Sequence, residues 1–309
     1  MNEIVGPEAV PAELKQPLTE LLLSLADDEF ILGYWDSEWT GVAPMLEEDV
    51  AMSSIAQDEI GHARLFYQQV SALTGTPIDQ LAYGRKPEQY RQVQLVERQR
   101  GDWAFTIVRQ FLYDTADQLR IESLKNSTYV PLAQDVAKIE REEVYHQMHV
   151  NIWLERLANR TPEARQRLEQ ALEQLWPDAL GMFEPFSDEE ALLSAGILTT
   201  PSASLQQGWL ATIALIFQHL HLEIRGTNSL RADRLEPENR HSAPAQLPTS
   251  PAESNSISNQ TITSQTIEDK TLLPFMPRTG GRRVQHTQDF RDLWEQMTMV
   301  YRMEPQAQW

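Results

Sequence analysis

From about Ala12 to Arg225 apolar residues recur at three- and four-residue spacing, and no run alternates as a strand would. That pattern confines the chain to helices. Glycine and proline cluster at a few breaks, which predicts helices over about Glu13–Thr40, Met45–Leu73, Asp102–Lys125 and Leu132–Ala158. Later helices are predicted over Pro162–Trp176, Ser202–Arg225 and Gln288–Met303. The turns "TGVAP" and "KNSTYVP" join the first four into two hairpins, separated by a longer connection. The expected fold class is all-α: a four-helix bundle with additional C-terminal helices. A chain of 309 residues has room for a substantial core.

Between Gly226 and Pro274 the composition shifts to Ser, Thr, Pro, Asn and Gln. Such a stretch buries too little apolar surface to offset its ordering entropy. The expected organisation is therefore a helical bundle over 1–226, a flexible linker over 227–273, and a segment over 274–309. That last segment regains aromatics and a helical period, so it is expected to dock on the bundle or on a partner.

Two of the predicted helices carry the same tetrad. "DEIGH" places Glu59 and His62 three residues apart on the second helix, and "EEVYH" places Glu143 and His146 likewise on the fourth. At i and i+3 both side chains project from one helix face. A single Glu-x-x-His is weak, because glutamate is common on helices. Two of them, each on the second helix of a hairpin, match the grammar of dimetal carboxylate bundles, which also need one inward carboxylate from each remaining helix.

Depth along the hairpins nominates those two. Residues equally far from an antiparallel turn lie at one level, at about 1.5 Å per residue. Glu29 stands 30 residues before Glu59, across a turn centred near Val42–Pro44, and Asp114 stands 29 before Glu143, across a turn near Thr128. Asp28 and Asp117 are the reserves. Glu38 lies about 14 Å too near its turn and is rejected. The candidate metal ligands are thus Glu29, Glu59, His62, Asp114, Glu143 and His146. Four carboxylates and two imidazoles suit two divalent first-row ions. Without metal, four carboxylates converging in a core repel each other and are costly to desolvate.

The remaining composition narrows the chemistry. There are no cysteines, which excludes disulfides, thiolate zinc sites, Fe–S clusters and thiol nucleophiles. A formal net charge of −19 disfavours nucleic acid and anionic membranes as broad-surface partners. The acidic N-terminus does not read as a signal peptide and no run is long enough to span a bilayer, so a cytoplasmic location is expected. Among other residues, His149 is expected at the surface, and His219 and His221 at the core edge. Tyr34, Trp35, Trp39, Trp103 and Tyr113 are expected to pack. Arg282 and Arg283 in "RTGGRR" read as a solvated basic turn, and Gly61 as either a close-packing position or a tolerated accident.

The runs "EFILGYWDSEWTGVAP", "QDEIGHARLFY", "DWAFTIVRQFLYD" and "EREEVYH", with "WLERL" and "RTGGRRVQHT", resemble the phenylacetyl-CoA epoxidase (phenylacetate catabolic) family. The likeness is closer to its C-type subunit. This resemblance implies a ferritin-like fold. The catalytic A-type subunit of that family binds two irons and uses O₂ to epoxidise the ring of a CoA thioester. Its ligand pattern carries over to Glu29, Glu59, His62, Asp114, Glu143 and His146. The C-type subunit is a structural partner that lacks a complete ligand set, and this sequence departs from it by having one. The resemblance implies a diiron cofactor (with manganese or mixed Mn/Fe as variants), a small-molecule substrate such as a CoA thioester, and a partner that is a homologous subunit. No flavin or nicotinamide fingerprint is visible, so an external reductase is expected to supply electrons.

Overall fold

The computed structural model describes residues 3–224 and 275–305. The predicted linker at 227–273 lies outside the described residues. Helices α1 (Ala12–Ser37) and α2 (Leu46–Thr74) form the first hairpin, and the connection that follows it contains two short helices, α3 (Ile78–Tyr83) and α4 (Gln94–Glu97). Helices α5 (Trp103–Leu124) and α6 (Val130–Asn159) form the second. Then follow α7 (Pro162–Gly181), α8 (Glu189–Ser194), α9 (Ser202–Leu220), α10 (Gln288–Met297) and α11 (Met299–Met303). No strand forms among the described residues; one isolated bridge pairs Ile4 with Tyr129.

Local chemistry sets these boundaries. Asp102 caps α5 by accepting from the Phe105 N–H at 2.9 Å, and Thr161 caps α7 by accepting from Ala164 at 3.1 Å. Pro131 and Pro162 sit in the first turns of α6 and α7, where a missing N–H costs nothing. Helix α2 ends at Gly75 in the left-handed conformation.

Three predicted ends shift. The first helix stops at Ser37 rather than Thr40, because the chain turns there with Trp39 buried and its Nε1 donating to Thr106 Oγ1 at 3.0 Å. The helix predicted to end at Trp176 runs through Pro177 to Gly181, and the one predicted to end at Arg225 ends at Leu220, where His221 adopts a positive φ; the helix predicted over Gln288–Met303 is divided at Thr298 into α10 and α11. His219 and His221 are exposed rather than at the core edge, because their positions at the end of α9 fall on its outer face. Trp35, Trp39 and Tyr113 are buried and Tyr34 and Trp103 half-buried, consistent with packing.

In this helical bundle α1 packs along α2 and α5 along α6, while α2 meets α6 across the middle. Gln69 ties those two inner helices by donating to Asp135 at 2.7 Å. One close approach needs glycine: a Cβ at Gly33 would lie 2.8 Å from the Cβ of Glu59. Gly61, by contrast, is exposed with open space around it and carries no packing role.

The C-terminal residues lie against the bundle. The Arg278 N–H donates to Pro177 O at 2.8 Å, Trp294 Nε1 donates to Arg85 O at 2.9 Å, and Phe290 and Leu293 are fully buried. A Cβ at Gly281 would collide with the carbonyl oxygen of Gln92, so this segment threads too tightly for a side chain there. "RTGGRR" is therefore not a solvated turn. Arg283 is exposed, although it pairs with Glu184 at 2.9 Å, whereas Arg282 is buried.

Candidate metal centre

Halfway along the bundle, one ligand atom each from Glu29, Glu59, His62 and Glu143 lies within 4.8 Å of the others, all buried. His62 Nδ1 is 3.4 Å from Glu29, 3.9 Å from Glu59 and 3.6 Å from Glu143. His146 Nδ1 is 3.3 Å from Glu59 and 3.1 Å from Glu143. Glu59 and Glu143 thus lie between the two imidazoles, whose ring centres are 6.0 Å apart. Asp114 is buried nearby on α5, close enough for its charge to act on Glu59. The buried atoms Glu59 Oε2, Asp114 Oδ2 and His146 Nδ1 have no hydrogen-bond partner among the described residues, which is costly for polar groups in a core. Those are the atoms a cation would satisfy, so the residues fit a metal.

Arginines sort the available carboxylates from the occupied ones. Helix α1 buries Asp27, Asp28, Glu29 and Asp36. Asp27 pairs with Arg85, Asp36 with Arg109 at 2.9 Å, and Asp28 with Arg282 at 2.6 Å and Arg120 at 3.5 Å. Among the described residues Glu29 meets no arginine; it accepts from Tyr113 Oη at 2.8 Å and faces His62. On α5 the same division recurs: Asp117 pairs with Arg120 at 3.1 Å, while Asp114 has no ion pair among the described residues. Asp28 and Asp117, the two reserves, are the carboxylates held away by guanidinium groups. Glu38 lies beyond the end of α1 and does not join the group.

Each imidazole turns its Nε2 outward to an acid from the opposite hairpin. His62 Nε2 lies 2.7 Å from Glu142, and His146 Nε2 lies 3.4 Å from Asp58. An outer carboxylate accepting the Nε2 proton leaves Nδ1 as the lone-pair nitrogen facing the cluster, the usual way an imidazole ligand is oriented. Sequence reasoning missed both acids. Their signal was the residue preceding each tetrad: both motifs read acid–Glu–x–x–His. His149 also differs from expectation. It is buried, with Nε2 2.7 Å from Glu48, because it lies one turn from His146 on the face of α6 that meets α2.

The electrostatics follow from this crowding. Burial and the charges of Glu29, Glu143 and Asp114 push the Glu59 carboxyl well above the carboxylate range. Burial also raises Asp114, with the charge of Glu143 adding to it. Glu29 goes the other way: burial opposes ionisation, but hydrogen bonds from Glu59, His62 and Tyr113 hold it down at about 2. Burial works against charge on both imidazoles, yet Glu29 and Glu143 lift His62, and Glu143 and Asp114 lift His146, each to about 9. Without a cation, protons on these groups provide the compensating positive charge.

The fold and this cluster define an all-α, ferritin-like bundle with a buried carboxylate–imidazole group between its central helices. A profile of the family described as "Phenylacetic acid catabolic protein" matches residues 1–250, and the chain belongs to that family. It is 34% identical over 197 residues to the C-type subunit of 1,2-phenylacetyl-CoA epoxidase from Escherichia coli (strain K12), covering 63% of this chain and 79% of that one. It is 25% identical over 190 residues to the A-type subunit of the same epoxidase, covering 62% of this chain and 61% of that one. No helix of the described residues is long and apolar enough to cross a membrane.

Proposed function

We propose that this chain is a dinuclear metal oxygenase of the phenylacetic acid catabolic family, with Glu29, Glu59, His62, Asp114, Glu143 and His146 holding two iron ions. The observation that carries this reading is the arginine-free subset. Of the buried acids on α1 and α5, those without a guanidinium partner among the described residues are the ones beside the two imidazoles. When bound, such a pair of ions supplies reductive activation of O₂ for insertion into an apolar substrate. Manganese, alone or mixed with iron, suits the same donors.

The chain's own residues perform the rest. Glu59 and Glu143 lie between the two imidazoles and would serve both ions, Glu29 and Asp114 would serve one each, and Tyr113 fixes the Glu29 carboxylate by donating to Oε1. Glu142 and Asp58 hold the imidazoles in the tautomer that faces inward. The α1 and α5 cores exclude bulk water from the group. Electrons come from a separate reductase. The substrate is an aromatic acyl thioester or a related apolar compound, in keeping with the epoxidase named in both relatives.

A second reading rests on the higher identity to the C-type relative: the chain works as the partner of a homologous subunit, with its own metals structural. Metal analysis of the purified protein decides first. About two iron or manganese ions per chain support the dinuclear reading; none after expression in metal-replete medium sinks it. Anomalous scattering at the iron and manganese edges identifies the ion. Turnover of an aryl acyl thioester by this chain with its reductase, and with no homologous protein present, separates oxygenase from structural partner.

A further inference from the structure

We propose that the cavity between α1, α2 and α3 binds an aromatic α-amino acid, its ring among Phe30, Tyr67 and Tyr83, its carboxylate on Arg64 and its ammonium on Asp79. The cavity holds about 390 Å³, within the range of small-molecule sites. Phe30 of α1, Ile60 and Tyr67 of α2, and Ile78 and Tyr83 of α3 supply its apolar walls. Phe30 and Ile60 each follow a candidate metal ligand, Glu29 and Glu59, by one position. One position turns a side chain by about 100° about its helix axis, so the cavity stands beside the metal centre rather than opening into it. None of the six candidate ligands lines it, so binding here does not depend on a metal. The walls are held before anything binds. Phe30 meets Tyr67 and Tyr83 edge to face, at ring-centre distances of 6.1 and 5.4 Å. Tyr67 donates its hydroxyl to Asp27 at 2.5 Å, and Tyr83 stacks on Tyr301 of α11 at 6.2 Å. Fixed rings favour an aromatic ligand over an aliphatic one, because edge-to-face contacts add to what area burial gives.

The mouth of the cavity carries one charge of each sign. Arg64 is exposed and Asp79 half-buried, and among the described residues neither side chain makes a hydrogen bond or an ion pair. Asp79 stands close to Tyr83, whose phenol is pushed up by burial and by that carboxylate's charge. Between the two charges the accessible surface is apolar: Ile60 is 37% exposed, and Ile78 and Tyr83 are half-buried. A free guanidinium grips a carboxylate through two parallel N–H donors, and a free carboxylate accepts from an ammonium. An uncharged ring compound leaves both groups idle. An aryl acid satisfies Arg64 but faces the like charge of Asp79, and an aryl amine meets the converse. A zwitterion with an aromatic side chain satisfies both charges and the rings together.

The test titrates L-phenylalanine, 3-phenylpropanoate, phenethylamine and L-leucine into the full-length protein by ligand-observed NMR. L-phenylalanine should bind saturably, and each of the other three more weakly by about threefold, the scale of one exposed ion pair or ring contact. Ile60→Trp fills the mouth at an exposed position and should abolish saturable binding. Arg64→Gln should weaken L-phenylalanine and 3-phenylpropanoate about threefold but not phenethylamine. Asp79→Asn should weaken L-phenylalanine and phenethylamine but not 3-phenylpropanoate. Arg64→Lys keeps the charge and should retain most of the affinity. Circular dichroism checks the fold of each variant, and the crossed pattern is one that a general loss of folded protein does not imitate. Three results overturn the assignment: no saturable binding of L-phenylalanine through the millimolar range, a single-charge analogue or L-leucine bound as tightly, or folded variants that affect all ligands alike.

Discussion

Arg282 Nη2 lies 2.6 Å from Asp28 Oδ2, joining residues 254 positions apart, one residue from the Glu29 carboxylate. Arg282 Nη1 also donates to Asp28 Oδ1 at 3.1 Å and to the carbonyls of Ser24 and Arg91 at 3.0 and 2.7 Å. With Asp28 neutralised from this side, Arg120 can hold Asp117 at 3.1 Å. The result is a buried row, Arg282–Asp28–Arg120–Asp117, that keeps two acids out of the cluster.

Removing the first member tests that row. Arg282→Gln should destabilise the fold by about 3–5 kcal/mol, the scale for leaving a buried charge unpaired. It should also lower metal content, because Arg120 must then serve both aspartates. Arg282→Lys should restore part of each. Urea unfolding and metal analysis read the two effects. A Gln variant as stable and as metal-rich as the parent refutes the role.

The outer acids should act on affinity rather than on stability. The side chains of Asp58 and Glu142 are 31% and 52% exposed, so Asp58→Asn and Glu142→Gln should leave the melting temperature almost unchanged. Losing the carboxylate behind a ligating imidazole lowers metal affinity by about 10–100-fold. Competition with a chromophoric chelator measures it. The direct ligand substitutions Glu29→Ala and Glu143→Ala should abolish binding, and Glu38→Ala should not.

The apo protein should lose stability as the solution becomes basic. Folded His62 and His146 titrate near 9, above the ordinary 6.5. Their contribution is complete below about pH 6.5 and is lost as pH rises towards 9. The raised Glu59 and Asp114 act in the same sense, since the folded state retains protons that the unfolded chain has released. Thermal melts in chelator should fall between about pH 6.5 and 9. Metal-loaded protein, whose imidazoles are already deprotonated, should not follow, and its loading should release protons. Parallel apo and loaded curves contradict this.

Two glycines on facing stretches of α1 and α2 should respond oppositely. Gly33→Ala puts a methyl 2.8 Å from Glu59 Cβ and should cost about 1–3 kcal/mol while displacing a cluster carboxylate. Gly61→Ala meets open space on an exposed helix face and should stabilise by about 1 kcal/mol. Chemical denaturation of both variants checks the pair.

Most of the helical plan was legible because its signals are local: apolar period, caps and breaker residues mark α1, α2, α5 and α6 to within a few positions. The tetrads were legible for the same reason, since i and i+3 share a helix face whatever surrounds it. Equal depth in an antiparallel hairpin carried Glu29 and Asp114 one step further, because rise per residue is constant. The short helices α3, α4 and α8 escaped, because four to six residues are too few to show a helical period.

What the sequence by itself determined is a bundle of two hairpins with repeated carboxylate–imidazole faces. Only the tertiary structure decided which of the neighbouring acids remain available. Asp28 and Glu29 are adjacent in sequence and alike in chemistry, and what separates them is Arg282, reaching in from the other end of the chain. Asp58 behind His146 and Glu142 behind His62 are likewise products of packing. Charge pairing and cavity shape depend on distances between helices, and no spacing along one helix encodes them.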